Sequence, residues 1–597
     1  MLVIAGDAEM FRSRLVTAAS VPATTLAVFV HGWSSSSEHL ADVVELLREC
    51  RPGADCLLID HDGGGTLSNA RPERLADEIA QEIEYHWEDA RTRVTPYNDI
   101  ILIGHSAGAL LLRKAYAFAW GFADDSEAQQ TYSWAPFVER IVCLAGLDRG
   151  LSFVTKPENM AWPSYVARRV LYNIARLTRS AQFLRSLQRG EPFVANLRIQ
   201  WIRMVQWHDL RKHDDERFVK NLRLQLLRLN AAAGEGVTVA PTFQLVGDHD
   251  VLVSRSDSID TLFKSGNYDY RTVTGADHES IVRPSRSTYV WREIVRALTI
   301  VPAHVSSYNT SEMSDVFYVI HGIRDLGRSW TPPICDQIRL AVAADNAGRP
   351  PGSQRTARTV RPSYGYFSML SFLFSWDRQK NVRWFMDLYT QMVARYPKAQ
   401  HHYVGHSNGT YLLASAMQRY ATCRMRNVVF AGSVVPSAYD WTKMSENDQV
   451  AYVRNEVGSA DWVVGLFPHL FEFAADLLSR FDVNAPKWLD LGAAGFNGFY
   501  DDFGTDNVYL PGGHDAALKA LNYPSIAKSA VTGADAKPYD LRPSHNPLVE
   551  WMSKLSWLVV PVLVGALVFV DVYLWLHVAW YWGAVATLIL VFLLYTL

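Results

Sequence analysis

Two serine-centred turns are the parts of this sequence whose residue types and spacing could do chemistry. Residues 102–110 read LIGHSAGAL and residues 403–411 read YVGHSNGTY, so both contain Gly-His-Ser-X-Gly. One such turn is a weak signal, but here each follows an apolar, strand-like run and precedes a helix-like one. A serine hydroxyl at the start of a helix lies where backbone N–H groups can stabilise a developing negative charge. With a base beside it, Ser106 or Ser407 could therefore act as a nucleophile.

Such turns need strands and helices to hold them, and the first half of the chain supplies both. Short apolar and β-branched runs alternate with amphipathic stretches, a pattern typical of buried parallel strands joined by helices. The predicted strands lie within residues 25–33, 99–108, 139–146, 241–253 and 270–280, and the predicted helices within 38–48, 72–88 and 109–120.

The second half repeats this order in heavily diverged sequence, and a polar stretch separates the two halves. The matching strand-like runs lie at residues 315–323, 401–409, 427–433, 451–464 and 507–518. We therefore predict one domain over residues 1–300, a linker over 301–314 and a second domain over 315–535.

A strand, a Gly-x-Ser-x-Gly elbow and a helix in direct succession resemble the α/β-hydrolase superfamily, in particular its serine lipases, esterases and thioesterases. The resemblance covers about residues 28–281 and 316–518. The fold it implies is α/β, with two tandem α/β-hydrolase domains built on mostly parallel sheets. It also implies a serine nucleophile that is followed along the chain by an acid and then by a histidine base.

After Ser106, the next acids at the end of a predicted strand are Asp248 and Asp250, in the segment 241–253. Their segment and the one around Asp461 share Gly-x-x-Asp-x-(Leu/Val)-Val, which favours Asp250 by register. A histidine at the end of a further strand follows in each half. The expected catalytic sets are Ser106, Asp250 and His278 in the first half and Ser407, Asp461 and His514 in the second.

The resemblance further implies an oxyanion hole made of two backbone N–H groups. One comes from the residue after the nucleophile and the other from the loop after the His-Gly strand. By position these are Ala107 with Trp33, and Asn408 with Ile323. Four other histidines are expected to hydrogen-bond loops near the sites rather than to act as bases: His31, His105, His321 and His406.

The two halves differ in their inserts. A cap or lid insert occupies about residues 150–238 of the first half, and its segment 168–203 has eight arginines and one glutamate. That segment fits an amphipathic lid on an anionic membrane, or a helical cap whose charged face is solvated. Residues 207–217 offer possible metal ligands, but a polar surface segment is the preferred interpretation.

In the second half, residues 466–481 carry apolar side chains at helical spacing. This spacing fits either the cover of an acyl pocket or ordinary core packing. The aromatic stretch 364–376, YGYFSMLSFLFSW, could line a pocket or an interfacial surface, although no step of the chemistry requires it.

The C-terminal residues 557–597 contain one acid, one histidine and no lysine or arginine. A single helix of this length would reach about 60 Å, twice the hydrocarbon thickness of a membrane. We therefore predict a transmembrane hairpin of two helices over residues 555–597. Basic residues precede it and none follows it, so the rest of the chain would face the cytoplasm. A buried core hairpin is the alternative.

Composition adds few constraints. The five cysteines are scattered without CxxC spacing, which indicates free thiols, and the net charge of −3 gives no sign of nucleic-acid binding. Charged residues stand where a signal peptide needs its apolar core, so no cleavable secretory signal is predicted. No metal or organic cofactor is implied.

Together these features predict a membrane-anchored tandem serine hydrolase. It would hydrolyse carboxylic esters of lipids or other acylated substrates through an acyl-enzyme. The alternatives are one active domain with a degenerate scaffolding copy, a thioesterase or acyltransferase, and a lipase effector that attacks membranes.

Overall fold

The chain forms two compact units, seen in a computed structural model. The first comprises Met1–Thr310 with Val393–Pro397, and the second comprises Ser311–Met392 with Lys398–Leu597. The residues described are 11–18, 22–64, 68–122, 131–152, 160, 162–164, 166, 170, 181–210, 239–253, 255–258, 268–300, 313–323, 329–365, 367–479, 490–500, 505–534, 545–577, 581–582, 584–585 and 587.

The first unit is built on a seven-stranded sheet in the order β1-β3-β2-β4-β5-β6-β7. Among its described strands β1 alone is antiparallel to its neighbour, and the others run parallel. Its strands are β1 (Phe11–Val16), β2 (Thr25–Val30), β3 (Ala54–His61), β4 (Asp99–His105), β5 (Val138–Leu144), β6 (Thr242–Gly247) and β7 (Tyr268–Val273).

Helices connect these strands, as parallel pairing requires. The α-helices of this unit are α1 (Ala41–Cys50), α2 (Pro72–Arg91), α3 (Ala107–Ala119), α4 (Gln182–Ser186), α5 (Pro192–Leu210), α6 (Arg255–Ser258) and α7 (Thr288–Thr299). All residues of β2 are buried because helices cover both faces of the sheet. Helices α1 and α7 share one apolar core with the sheet, and α2 and α3 pack together on the other face.

The second unit has a six-stranded parallel sheet in the order β13-β12-β11-β10-β8-β9. From β8 to β13 this order matches that of β2 to β7, strand for strand. The strands are β8 (Asp315–Ile320), β9 (Ala357–Val360), β10 (Gln400–His406), β11 (Met425–Ala431), β12 (Val450–Gly458) and β13 (Asp506–Leu510). The two mostly parallel sheets agree with the predicted α/β class.

The helices of the second unit again cover the sheet, with α8 and α15 sharing its core cluster. They are α8 (Thr331–Ala347), α9 (Met369–Leu373), α10 (Ser375–Arg395), α11 (Asn408–Arg419), α12 (Trp441–Glu446), α13 (Trp462–Ser479), α14 (Ala494–Asn497), α15 (Tyr523–Thr532), α16 (Pro547–Lys554) and α17 (Ser556–His577).

The prediction of two transmembrane helices over residues 555–597 is wrong. In the part of the chain that the structure describes, no helix is long and apolar enough to cross a membrane. The segment instead contains α17, which packs against α13 of the same unit, as does α16 directly before it. Helix α17 contains Pro561 and Asp571, and the Asp571 carboxylate accepts a hydrogen bond of 2.9 Å from Thr587.

That prediction came from the composition and the length of the segment, which do not show where polar residues interrupt an apolar run or how its helices pack. The membrane localisation, the two-span topology and the cytoplasm-facing orientation all depended on it. Since no membrane-spanning helix is found among the described residues, these three predictions are wrong as well.

Candidate active sites

The first serine turn is a tight strand-to-helix elbow. Strand β4 ends at His105, α3 begins at Ala107, and Ser106 between them adopts φ 52° and ψ −119°. This left-handed backbone is unusual for a residue with a side chain and is stored strain of the kind found at functional sites. A Cβ on Gly108 would lie 2.3 Å from the carbonyl oxygen of Val30, so only glycine fits there.

The second turn reproduces this geometry in a different sequence. Ser407 lies between β10 and α11 with φ 52° and ψ −121°. A Cβ on Gly409 would lie 2.6 Å from the carbonyl oxygen of Ile320. The amide of Ser407 donates to the carbonyl of Ala431, as the amide of Ser106 donates to that of Leu144. Both elbows are therefore fixed by the next strand of their own sheet.

In the first unit, the predicted acid and base are hydrogen-bonded to each other. His278 Nδ1 lies 2.9 Å from Asp250 Oδ2, and both side chains are buried. The other carboxylate oxygen of Asp250 accepts the amides of Leu252 and Val253, each at 2.8 Å. Asp248, the acid that register disfavoured, bonds instead to His249 and the amide of Gly275. Asp250 thus has the contacts of an acid that orients a base.

The second unit contains an equivalent pair. His514 Nδ1 lies 2.8 Å from Asp461 Oδ2, and Asp461 Oδ1 accepts the amide of Val464 at 3.0 Å. Burial alone would lower the pKa of His514, but the charges of Asp461 and Asp515 raise it above the ordinary 6.5. The carboxylate of Asp461 therefore stabilises the protonated form of this imidazole.

The histidines that precede the serines hydrogen-bond the backbone of the predicted base histidines. His105 Nε2 donates to the carbonyl of His278 at 3.0 Å, and His406 Nε2 donates to that of His514 at 3.1 Å. Burial lowers the pKa of His105 well below its usual value and that of His406 to about 3. Both rings are thus neutral donors, in line with the positioning role expected for them.

Among the described residues, no hydrogen bond joins either predicted base histidine, His278 or His514, to its serine. The ring centroids of His105 and His278 are 4.9 Å apart, and those of His406 and His514 are 4.8 Å apart. Each base therefore lies beside the residue that precedes its serine. Catalytic hydrogen bonds are often long without substrate and tighten when it binds.

The His-Gly loops pass directly over the serines. A Cβ on Gly32 would lie 2.8 Å from the Cβ of Ser106, and one on Gly322 would lie 2.8 Å from the Cβ of Ser407. The predicted oxyanion donors Trp33 and Ile323 follow these glycines directly, and Ala107 and Asn408 are the first residues of α3 and α11. The four residues are thus direct chain neighbours of the serines or of the glycines that contact them, and their amides stay predicted oxyanion donors.

Two side chains that touch these loops were missing from the sequence prediction. His61 ends β3 and Tyr364 follows β9, and both hydrogen-bond the His-Gly loops. Neither strand was predicted from the sequence. Strand β9 is a short, mostly half-buried edge strand, and β3 is an apolar run without a motif beside it. A polar or aromatic residue just after the strand next to the His-Gly strand is the signal that could have identified them.

The described part of the first insert lies over the serine helix. Lys114 of α3 donates to Gln200 of α5 at 2.9 Å, and the Arg113 guanidinium stacks 4.4 Å from the Trp201 ring. From Phe193 to Ile202, α5 is buried, which fits a cap rather than a surface lid. Residues 168–169 and 171–180 of segment 168–203, and the side chains of 207–217, lie outside the described residues.

The predicted cover helix of the second unit corresponds to α13. Its Glu472 accepts the amides of Ser437 and Ala493, each at 2.8 Å, and burial raises the pKa of that carboxyl. Phe473 and Leu477 on the same helix are exposed. Helix α13 is thus fixed to two loops of its unit, without having all of its apolar residues in the core.

Comparison with known proteins supports a hydrolase. Residues 27–287, which include Ser106, Asp250 and His278, match the model of the alpha/beta hydrolase family. The match covers the sheet of the first unit from β2 onward and ends before the second unit. Over these residues the first unit is therefore similar in sequence to α/β-hydrolases. No curated protein matches the chain.

Similar solved structures include three esterase-type proteins. Est1E from Butyrivibrio proteoclasticus, bound to ferulic acid, is 15% identical, with 48% of this chain and 95% of that chain covered and a TM-score of 0.26. The siderophore hydrolase EstB from Aspergillus fumigatus is 13% identical over 49% and 94%, with a TM-score of 0.31. The esterase Pf2001 from Pyrococcus furiosus is 14% identical over 48% and 91%, with a TM-score of 0.26. Likeness at this level does not bear on the activity.

Proposed function

We propose that both units are serine hydrolases that cleave carboxylic esters through a covalent acyl-enzyme. The observation that carries this proposal is the same arrangement formed twice. Each unit has a strained serine elbow, and the histidine that precedes the serine lies beside a second histidine whose Nδ1 is hydrogen-bonded to a buried aspartate. A structural role would not require a strained serine, a neutral positioning histidine and an acid–base pair together in both units.

In the proposed reaction the serine Oγ attacks the ester carbonyl carbon while its proton passes to the histidine Nε2. The carbonyl oxygen becomes an oxyanion that the amides of Trp33 and Ala107, or of Ile323 and Asn408, would stabilise. The carbon–oxygen bond to the alcohol then breaks, and the alcohol leaves with the proton from the histidine. Water attacks the acyl-enzyme by the same steps, and the carboxylic acid departs with the serine regenerated.

Asp250 and Asp461 supply orientation and charge in this scheme. Each fixes a proton on Nδ1 of its histidine, which leaves Nε2 free to accept the serine proton. The expectation of a lipid substrate came from the membrane hairpin together with the apolar inserts. Because the hairpin is not found among the described residues, we propose a carboxylic ester and not a lipid. Thioester cleavage or acyl transfer to an alcohol would use the same groups and is tested by varying the leaving group and the acceptor.

The pH dependence of ester hydrolysis by the second unit tests the proposal. In a Ser106→Ala protein, kcat/KM for p-nitrophenyl butyrate should rise with pH, because His514 must be neutral to accept a proton. Since the pKa of His514 is raised, the midpoint of this rise should lie above pH 6.5. Replacing Asp515 by asparagine removes one of the charges that raise this pKa, so the midpoint should fall while the plateau rate stays.

The matched blank is the Ser106→Ala/Ser407→Ala protein measured over the same pH range. If the single variant hydrolyses the ester no faster than this blank at any pH, the second unit is not a serine esterase. A preference for butyryl thioesters over the oxygen ester would favour the thioesterase alternative.

A further inference from the structure

The His-Gly loop of the first unit is held by a second histidine. His61 Nε2 donates to the carbonyl of His31 at 3.0 Å, and the His61 amide donates to His31 Nε2 at 3.2 Å. The two rings stack with centroids 4.1 Å apart and planes 6° from parallel. His31 Nδ1 in turn donates to the carbonyl of Gly32 at 2.8 Å. Burial lowers the pKa of His61 to about 3, so both rings remain neutral at ordinary pH.

The second unit holds the corresponding loop with a tyrosine. The Tyr364 hydroxyl lies 2.9 Å from the carbonyl oxygen of His321 and 2.7 Å from that of Gly322, and its ring stacks on His321 at 4.3 Å. His321 Nδ1 donates to the carbonyl of Gly322 at 2.9 Å, as His31 does to Gly32. The loops thus share one backbone pattern with different side chains above it.

His61 and Tyr364 occupy the same place in the two sheets. Strand β3 pairs in parallel with β2, the His-Gly strand of the first unit, and β9 pairs in parallel with β8 in the second. His61 is the last residue of β3, and Tyr364 lies four residues after the end of β9. Both units therefore have an aromatic ring with a hydrogen-bond donor, His61 or Tyr364, next to the His-Gly loop.

The contacted carbonyls matter because a peptide unit is planar. The carbonyl of Gly322 and the amide of Ile323 belong to one rigid plane, so a hydrogen bond that fixes the carbonyl also fixes the direction of the amide. Ile323 is the expected oxyanion donor of this loop. The Tyr364 hydroxyl also accepts from the side chain of Asn408, the residue that carries the other expected donor, at 3.2 Å.

We propose that Tyr364 is a positioning residue that aligns both oxyanion amides of the second site, and that His61 does the same for the loop of the first. This inference rests on the proposed function. Neither residue touches the substrate in this account. Tyr364 acts through the peptide planes of the His-Gly loop and through Asn408. His61 acts through His31, on whose ring it stacks, because His31 Nδ1 holds the carbonyl of Gly32, which lies in the peptide plane of Trp33.

The test uses Tyr364→Phe in the Ser106→Ala protein, so that only the second site reports. The variant should lower kcat for p-nitrophenyl butyrate roughly 10- to 100-fold with KM changed by less than about 3-fold, because the amides stabilise the transition state more than bound ester. Tyr364→His should recover part of this loss, since an imidazole N–H supplies the same donor in the first unit.

A second readout separates alignment of the oxyanion amides from general loss of order. In the thionoester the carbonyl oxygen is replaced by sulfur, which accepts hydrogen bonds poorly. An enzyme with an intact oxyanion hole therefore hydrolyses the ester much faster than the thionoester. Tyr364→Phe should lower this rate ratio at least about 3-fold. The matched control is Tyr452→Phe, which removes a hydrogen bond of 2.7 Å to Asp506 near the start of β12, and it should leave kcat and the ratio unchanged.

The outcomes are distinct. If Tyr364→Phe matches Tyr452→Phe in kcat and in the ester-to-thionoester ratio, the inference is overturned while the proposed function stands. If the Ser106→Ala parent is inactive, the proposed function of the second unit fails, and the role of Tyr364 fails with it. The same comparison with His61→Phe in a Ser407→Ala protein then decides the inference for the first site.

Discussion

Replacing His278 by alanine in a Ser407→Ala protein lowers kcat for ester hydrolysis by about 10⁴-fold or more, because the serine then lacks its general base. The hydrogen bond of 2.9 Å to the buried Asp250 is the reason to assign His278 this role. Much of the remaining rate would come from the oxyanion amides, which do not depend on the imidazole. Steady-state hydrolysis of p-nitrophenyl butyrate measures the loss.

The matched control is His249→Ala, since His249 lies one residue from Asp250 and its side chain is 72% exposed. This variant should keep at least half of the parental kcat, because His249 contacts Asp248 and not the proposed acid–base pair. Equal losses in the two variants would mean that disturbance of the loop, not loss of a base, governs the rate.

The second large effect concerns stability of the first unit. Arg113 on α3 forms an ion pair of 2.8 Å with Asp148, and neither side chain is exposed by more than 1%. Tyr268 also donates to Asp148. Arg113→Met would leave a carboxylate buried without its cation, so the free energy of unfolding should fall by about 3–5 kcal/mol. Urea unfolding followed by tryptophan fluorescence measures the change.

A charge-neutral double variant distinguishes lost charge pairing from lost packing. Arg113→Met/Asp148→Asn keeps an acceptor for Tyr268 and removes the unpaired charge, so it should be more stable than Arg113→Met. The surface control is Arg74→Met, whose partner Glu78 lies 2.7 Å away on an exposed helix face, and it should cost less than about 1 kcal/mol. A double variant no more stable than Arg113→Met would contradict the account.

The sequence was most informative where local pattern and chemistry coincide. The strands that lead to His31, Ser106, His321 and Ser407 are apolar runs with turn glycines at fixed positions, and all four are found as β2, β4, β8 and β10. Register also favoured Asp250, and the structure gives Asp250 the hydrogen bond to His278. Such features depend on residues that are neighbours along the chain.

Features that depend on residues distant in sequence were not predictable in the same way. His61 and Tyr364 reach their loops only because β3 and β9 pair with β2 and β8, and no local motif marks them. The aromatic stretch that contains Tyr364 was predicted to line a pocket or an interfacial surface. Its contact with the His-Gly loop follows only from the sheet order. At the C-terminus, composition alone was misleading, because it does not report the packing of α17 against α13.

The most direct test of two serine nucleophiles is to count fluorophosphonate adducts on the intact protein by mass spectrometry. The account predicts two adducts on the wild type, one on Ser106→Ala, one on Ser407→Ala and none on the double variant. One adduct on the wild type, lost with a single serine, would make the other unit a non-catalytic copy. An unlabelled wild type, or label that survives in the double variant, would contradict the central claim.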